Sequence, residues 1–391
     1  MQRKTKLGVI SRGVKTPIIK LGDDVVKIVV DSVIDAVGIE GVQEKDAIGA
    51  TESIVAIAQG NVVTQNDIIK DLSKKFAGVK TIGVVDPIQS RNRFMAVLKA
   101  VSAMPELETI YLFMTYPTDE VGNRLVSDEV IMGSGVNPYS DVLTQEEFYN
   151  KLGKPSHPFT GKDYMEMYRE ILGEKAKIVM CNDFSKIPNF CKDILVCSIH
   201  RRTMTKRILQ SNGATRVLDL SEIMNEPIDG SGYNEKYGLY GSNIQSNDNL
   251  KLLPRDCEKF VKDVQEEMFK RTGKKVEAYI FGDGAFKDPV GGIWELADPT
   301  TTPAATEGLK GTPEEVKLKY IASAHQDKTP EEIEAIVAAE KQARKEAKNI
   351  SETSSLGTTP RQITDLISSL SDLTTGSGDR QTPVVLIQNY L

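Results

Sequence analysis

The residues best suited to chemistry lie between Lys275 and Thr300, in KVEAYIFGDGAFKDPVGGIWELADPT. Val276 to Phe281 is a short apolar run with β-branched and aromatic residues, the pattern of a buried strand. It ends at Gly282-Asp283-Gly284, which sets a carboxylate between two glycines on tightly turned backbone. Lys287-Asp288-Pro289 and Gly291-Gly292 follow, then Trp294, Glu295 and Asp298. Carboxylate oxygens on a glycine-rich loop are hard ligands that suit Mg²⁺ or Mn²⁺ carrying phosphates. Taken alone, an Asp-Gly turn is more often plain surface, so the rest of the chain must add to it.

Four other places offer matching chemistry. Near the start, Pro17-Ile18-Ile19-Lys20 precedes Gly22-Asp23-Asp24, and Glu52-Ser53 follows a second strand-like run. Lys20 and Glu52-Ser53 would approach a nucleotide from neighbouring strand ends; for Lys20 the plainer alternative is a solvated turn. Thr81 to Val85 is a compact strand closed by Asp86-Pro87, and Arg91 and Arg93 stand where the next helix begins. Free backbone N–H groups beside two guanidinium groups suit a carboxylate or a phosphate. The strand Thr109 to Thr115 runs out to Asp119-Glu120, with Gly122 and Asn123 just beyond. Ligands collect at strand ends in α/β sheets, which makes Asp119 a second candidate metal ligand. Near the C-terminus, Thr375-Gly376-Ser377-Gly378-Asp379 follows an amphipathic helix and offers backbone N–H groups and a hydroxyl to a phosphate or metal. Thr160-Gly161-Lys162 looks like the tail of a P-loop, but position 156 is Ser and Lys162 precedes Asp163, so no P-loop is expected.

The supporting elements are expected to be mixed α/β. Asp23 or Asp24 caps a helix over VVKIVVDSVIDAV, whose positions 25, 26, 29, 30, 33 and 34 share one apolar face. Further helices are expected over Gln65 to Phe76, Asp141 to Asn150, Asp256 to Thr272, Pro330 to Lys348 and Arg361 to Leu373. Gly230 to Asn247 reads either as a packed binding loop or as a structured connection. The 391 residues suffice for two or three domains, and a net charge of −6 argues against a nucleic-acid or membrane-surface binder. No run reaches the length of a membrane span, and no apolar segment follows the basic N-terminus, so a cytoplasmic protein is expected. The four cysteines show no CxxC pairing and are expected as reduced core thiols.

Four pieces in chain order carry a resemblance: TPIIKLGDD, ESIVAIAQGN, IFGDGAFKDPVG and TDLISSLSDLTTGSGDRQTPVVLIQ. Together they resemble the gamma-glutamyl ligases of the deazaflavin coenzyme F-420. The resemblance implies a two-domain α+β fold without a P-loop, enlarged by a middle insertion. It implies a homodimer that uses GTP, Mg²⁺ or Mn²⁺ and a monovalent cation such as K⁺ to join L-glutamate to an acidic acceptor. On this basis Pro17, Ile18, Ile19, Lys20, Glu52, Ser53, Asn123 and Thr375 to Asp379 are expected to bind nucleotide. Asp119, Asp283 and Ser377 are expected to bind metal. Lys287 and Asp288 are the candidate catalytic pair, and Arg91 and Arg93 are candidates for an acidic substrate. The sequence departs from the family pattern at Ile57, Gly284 and Ser377, and the resemblance covers about half the chain, mostly its ends. The expected division is a ligase-like core of residues 1–127 and 273–391, with 128–272 inserted to specify the substrate. Two rival readings share the same pocket: a metal-dependent phosphohydrolase and a non-catalytic nucleotide-binding protein.

Overall fold

The computed structural model describes residues 7–89, 92–120, 122, 124–156, 161–246, 249–283, 300–311, 316, 318–346, 362–375 and 381–391. Strands and helices alternate along it. β1 (Ile10–Val14) is followed by α1 (Val25–Val37), β2 (Ala47–Thr51), α2 (Glu52–Gln59), β3 (Val62–Val63) and α3 (Gln65–Lys75). Next come β4 (Thr81–Val85), α4 (Asn92–Ser102), β5 (Thr109–Met114), α5 (Asp128–Ser134), β6 (Leu143–Thr144), α6 (Gln145–Leu152) and α7 (Tyr164–Leu172). β7 (Ala176–Met180), β8 (Asp193–Val196), α8 (Arg202–Ser211), β9 (Arg216–Asp219), β10 (Asn243–Ser246), β11 (Asn249–Lys251) and α9 (Cys257–Thr272) follow. The chain closes with β12 (Glu277–Asp283), β13 (Thr300–Thr301), α10 (Leu318–Ala324), α11 (Pro330–Glu346), α12 (Ile363–Thr375) and β14 (Val384–Gln388).

Two larger sheets organise these elements. The first has the order β1-β14-β2-β12-β13 and draws on both ends of the chain. β2 is its centre, antiparallel to β14 and parallel to β12. Side chains alternate across it with the period of two that a pleated strand imposes. Ile48, Ala50, Ala278, Ile280, Val384 and Leu386 meet the apolar faces of α1 and α9. Tyr279, Phe281, Val385 and Ile387 face the other way, toward Ile367 of α12. The expected α1 is capped by Asp24, whose carboxylate accepts from the Lys27 N–H at 3.0 Å.

The second sheet has the order β6-β7-β5-β4-β8-β9, parallel throughout except for the edge strand β6. In chain order its parallel strands are β4, β5, β7, β8 and β9, so the winding reverses between β4 and β8. That is the doubly wound arrangement, with its crevice at the carboxyl ends of those two strands. Residues 81–114, expected with the core, supply its β4 and β5. Helices α3, α4 and α7 cover one face, and α8 with Phe184 and Ile187 covers the other. A small sheet, β10-β11-β3, joins the two. All four cysteines are free and buried, as expected. α6 begins at Gln145 rather than Asp141, because Thr144 and Glu147 form a reciprocal capping box that fixes the start.

Gly49 marks a tight point of the first sheet. A Cβ built there would lie 2.5 Å from Tyr279 Cζ. Tyr279 is fully buried, and its hydroxyl meets Ser371 Oγ at 2.5 Å, so the ring has nowhere to retreat. Gly49→Ala is expected to cost about 1–3 kcal/mol, measured by urea unfolding. A variant as stable as the parent would contradict this packing.

Candidate active site

The pairing of the first sheet decides what meets at its end. Thr51 of β2 lies opposite Phe281 of β12, so Glu52 starts α2 beside Gly282-Asp283, which run on in β12 paired with β13. Val14 of β1 and Ala50 of β2 both lie opposite Val384 of β14, which brings Thr382 and the turn after Val14 to the same edge. Thr51 N–H donates to Pro383 C=O at 2.9 Å, locking β2 to the chain that enters β14. The Pro17–Lys20 turn, Glu52-Ser53, Asp283 and Thr382 are thereby gathered from four distant parts of the sequence.

The turn is built from its own polar groups. Lys20 N–H donates to Asp23 Oδ2 at 2.7 Å, and Gly22 N–H donates to Ala58 C=O at 2.9 Å, at the far end of α2. Pro17, Ile18 and Lys20 are exposed, and Ile18 retains 86% of its surface. Glu52, by contrast, is buried at the first turn of α2. Its carboxylate takes the ammonium of Lys251 at 2.5 and 2.6 Å, and the same ammonium reaches Ser53 Oγ at 3.1 Å. Glu52 Cγ fills the space of the missing Gly282 side chain: a Cβ there would be 2.0 Å away. Thr375 ends α12, buried, with its hydroxyl donating to Asp372 C=O at 3.1 Å. Thr382 retains 8% of its surface, and its hydroxyl has no hydrogen-bond partner among the described residues. A buried hydroxyl without a partner is costly and calls for one.

Arg93 and Asp119 stand elsewhere, at the carboxyl end of the parallel sheet. Asp119 is buried, and its Oδ2 accepts the Gln89 N–H at 2.9 Å. Beside it, Asp86 is fully buried in a left-handed conformation with φ 57°. Arg201 grips it with two bonds, from Nε at 2.8 Å and Nη2 at 2.5 Å. Burial pushes the Asp86 carboxyl up, against the pull of Arg201, and neighbouring Asp119 adds to the rise. Glu120 caps the start of α8, accepting from the N–H groups of Ile199, His200 (3.1 Å) and Arg201 (3.5 Å). Burial nevertheless pushes Glu120 up to about 7. Asp119-Glu120 thus ties the loop after β4 to the loop after β8, across the point where the winding reverses.

Arg91, Asn123, Lys287, Asp288, Gly376, Ser377, Gly378 and Asp379 lie outside the described residues, as do the side chains of Arg93 and Asp283. Among the described residues, no three His, Cys, Asp or Glu side chains converge as a metal site. Sequence reasoning missed Lys251, which sits in SNDNLKLL with no local motif to mark it. It noted Asp86 and Glu120 singly, but their union with the start of α8 depends on which strands lie adjacent.

Comparison with known families identifies the chain as an enzyme of the ligase class. The F420-0:gamma-glutamyl ligase family model matches residues 13–389, and the chain belongs to that family, whose members add glutamate. The match runs through the middle of the chain as well as its ends, beyond the half that the four motifs cover. No curated protein matches. No helix among the described residues is long and apolar enough to cross a membrane.

Glu120 sets a pH dependence of stability. Its carboxyl titrates at about 7 in the fold against an ordinary 4.5, so the unfolded chain gives up this proton first as pH rises. The contribution is therefore whole below pH 4.5 and is lost as pH rises through 7, by on the order of 3 kcal/mol. Glu120→Gln is expected to flatten that slope in denaturant unfolding between pH 4.5 and pH 8. An unchanged slope would show that another group is responsible.

Proposed function

We propose that the protein joins L-glutamate to an acidic small-molecule acceptor, driven by GTP or ATP with a divalent cation, through an acyl phosphate. One observation carries this reading: the chain leading to Pro17–Lys20, Glu52-Ser53, Asp283 and Thr382, whose hydroxyl has no partner among the described residues, meet at the same end of one sheet. The donors gathered there are oxygens, which fit Mg²⁺ or Mn²⁺ carrying phosphates. A bound divalent ion supplies charge neutralisation on the β- and γ-phosphates.

The chain's own residues supply the rest. Exposed Lys20 and the backbone of its turn hold phosphate oxygens, and Thr382 donates its hydroxyl. Asp283 is the proposed metal ligand at this edge, with Ser377 at a second ion and K⁺ as the monovalent cation; Asp119 is the proposed ligand of a metal at the carboxyl end of the parallel sheet. Asn123 and Thr375 to Asp379 complete the nucleotide site. Lys287 steadies the phosphoryl group or the acidic substrate, and Asp288 orients Lys287 or supports the metal. The γ-phosphoryl group passes to the acceptor carboxylate. The glutamate amine then attacks the acyl carbon, an amide forms and phosphate leaves. Arg91 and Arg93 face the acidic acceptor in this reading. Region 128–272, which supplies four of the six strands of the parallel sheet, selects that acceptor. The ligase-like core is formed by 1–127 and 273–391, and the protein works as a cytoplasmic homodimer.

The test is phosphate release from GTP and ATP with Mg²⁺ or Mn²⁺, with and without L-glutamate and a panel of carboxylate acceptors. Release that requires both acceptor and amine is expected; release without an amine would make the protein a phosphohydrolase. Asp283→Asn is expected to abolish turnover with the fold intact. Thr382→Val is expected to weaken nucleotide binding severalfold while leaving stability within about 0.5 kcal/mol of the parent or raising it, because its hydroxyl makes no hydrogen bond among the described residues.

A further inference from the structure

We propose that Lys251 is a positioning residue of the nucleotide end of the first sheet. It holds Glu52-Ser53 against Gly282 and cancels the charge that Glu52 would otherwise direct at bound phosphates. This rests on the function proposed above.

The geometry is specific. An ammonium has three donors, and here three oxygens lie within reach: both of Glu52 and the hydroxyl of Ser53. The side chains of Lys251 and Glu52 retain 6% and 4% of their surface. Burying two such charges costs more in lost hydration than a well-packed apolar pair would, so stability alone does not explain them. The preceding residue, Leu250, packs fully into the core, and an apolar residue at 251 would serve the strand equally well. The chain just after Lys251 is also pinned to the end of α2 and to Asn61 beyond it. Gln59 Nε2 donates to Arg255 C=O at 2.8 Å, and Asn61 Nδ2 donates to Leu253 C=O at 2.7 Å. Both ends of the ion pair are thus fixed, and Glu52 lies flat along β12 one residue before Asp283. A triphosphate seated at this edge meets a neutral pair and an oriented Ser53 instead of a bare carboxylate.

The experiment measures the affinity of a non-hydrolysable GTP analogue with Mg²⁺ between pH 7 and pH 9. It compares the parent with Lys251→Met, Lys251→Arg and the double variant Lys251→Met/Glu52→Gln, each checked for fold by circular dichroism. Lys251→Met is expected to bind at least about tenfold more weakly at pH 9. The deficit should shrink as pH falls, because a buried carboxylate that has lost its ammonium takes up a proton more readily. In the double variant that added pH dependence should vanish, and Lys251→Arg should recover most of the affinity. Equal affinity of Lys251→Met and the parent at every pH overturns the inference. So does a loss that is independent of pH and persists in the double variant. If Lys251→Met does not fold, Lys251→Arg and the double variant carry the test. A parent protein that binds no nucleotide overturns the functional reading, and this inference with it.

Discussion

The hydrogen bonding of β2 on both its edges is the constraint on which the rest depends. On one side it pairs with β12 in parallel, and on the other with β14 antiparallel. Parallel pairing puts the two carboxyl ends together, so Glu52 and Asp283 emerge at the same edge. Antiparallel pairing turns the start of β14 to that edge as well. A slip of one residue would exchange the α1/α9 face of β2 for the α12 face and place Gly49 away from Tyr279. The registry is therefore held by side-chain volume as well as by backbone bonds.

Buried charge is used differently in the two larger sheets. In the parallel sheet, Asp86 with Arg201 and Glu120 with the start of α8 are cross-ties between loops, placed at the crevice that doubly wound folds leave open. The loop after β5 spans that crevice with its own carboxylates. In the five-stranded sheet the one buried pair, among those described, lies at the edge where the motifs gather. Glycine makes room for it: only a residue without a side chain lets Glu52 lie on β12 at position 282.

Much of this was legible from the sequence, for identifiable reasons. The period of α1, the apolar run of β12 and the glycines around Asp283 are local signals, and they report local structure. The family followed from four short motifs in order. The partner of Glu52 was not legible, because Lys251 comes from a strand 199 residues away and nothing beside it differs from ordinary surface sequence. Asp86 was visible as a strand-end residue, and Arg201 follows the end of β8. Their bond follows from β4 lying next to β8, a choice made by packing rather than by either segment alone.

The layout of the first sheet also fixes an order of assembly. β2 finds its neighbours at residues 277–283 and 384–388, more than two hundred positions downstream. Closing loops of that length is slow, and the earlier strand waits for it. The parallel sheet, by contrast, is drawn wholly from residues 81–219 and has its material at hand midway through synthesis. On the ribosome the crevice sheet can form first, while the apolar strand AIGAT waits for β12 and gains its second neighbour only with β14. β14 thus doubles as a seal: removing it would strip β2 of one edge and dismantle a site whose residues come from both before and after the parallel sheet in the sequence.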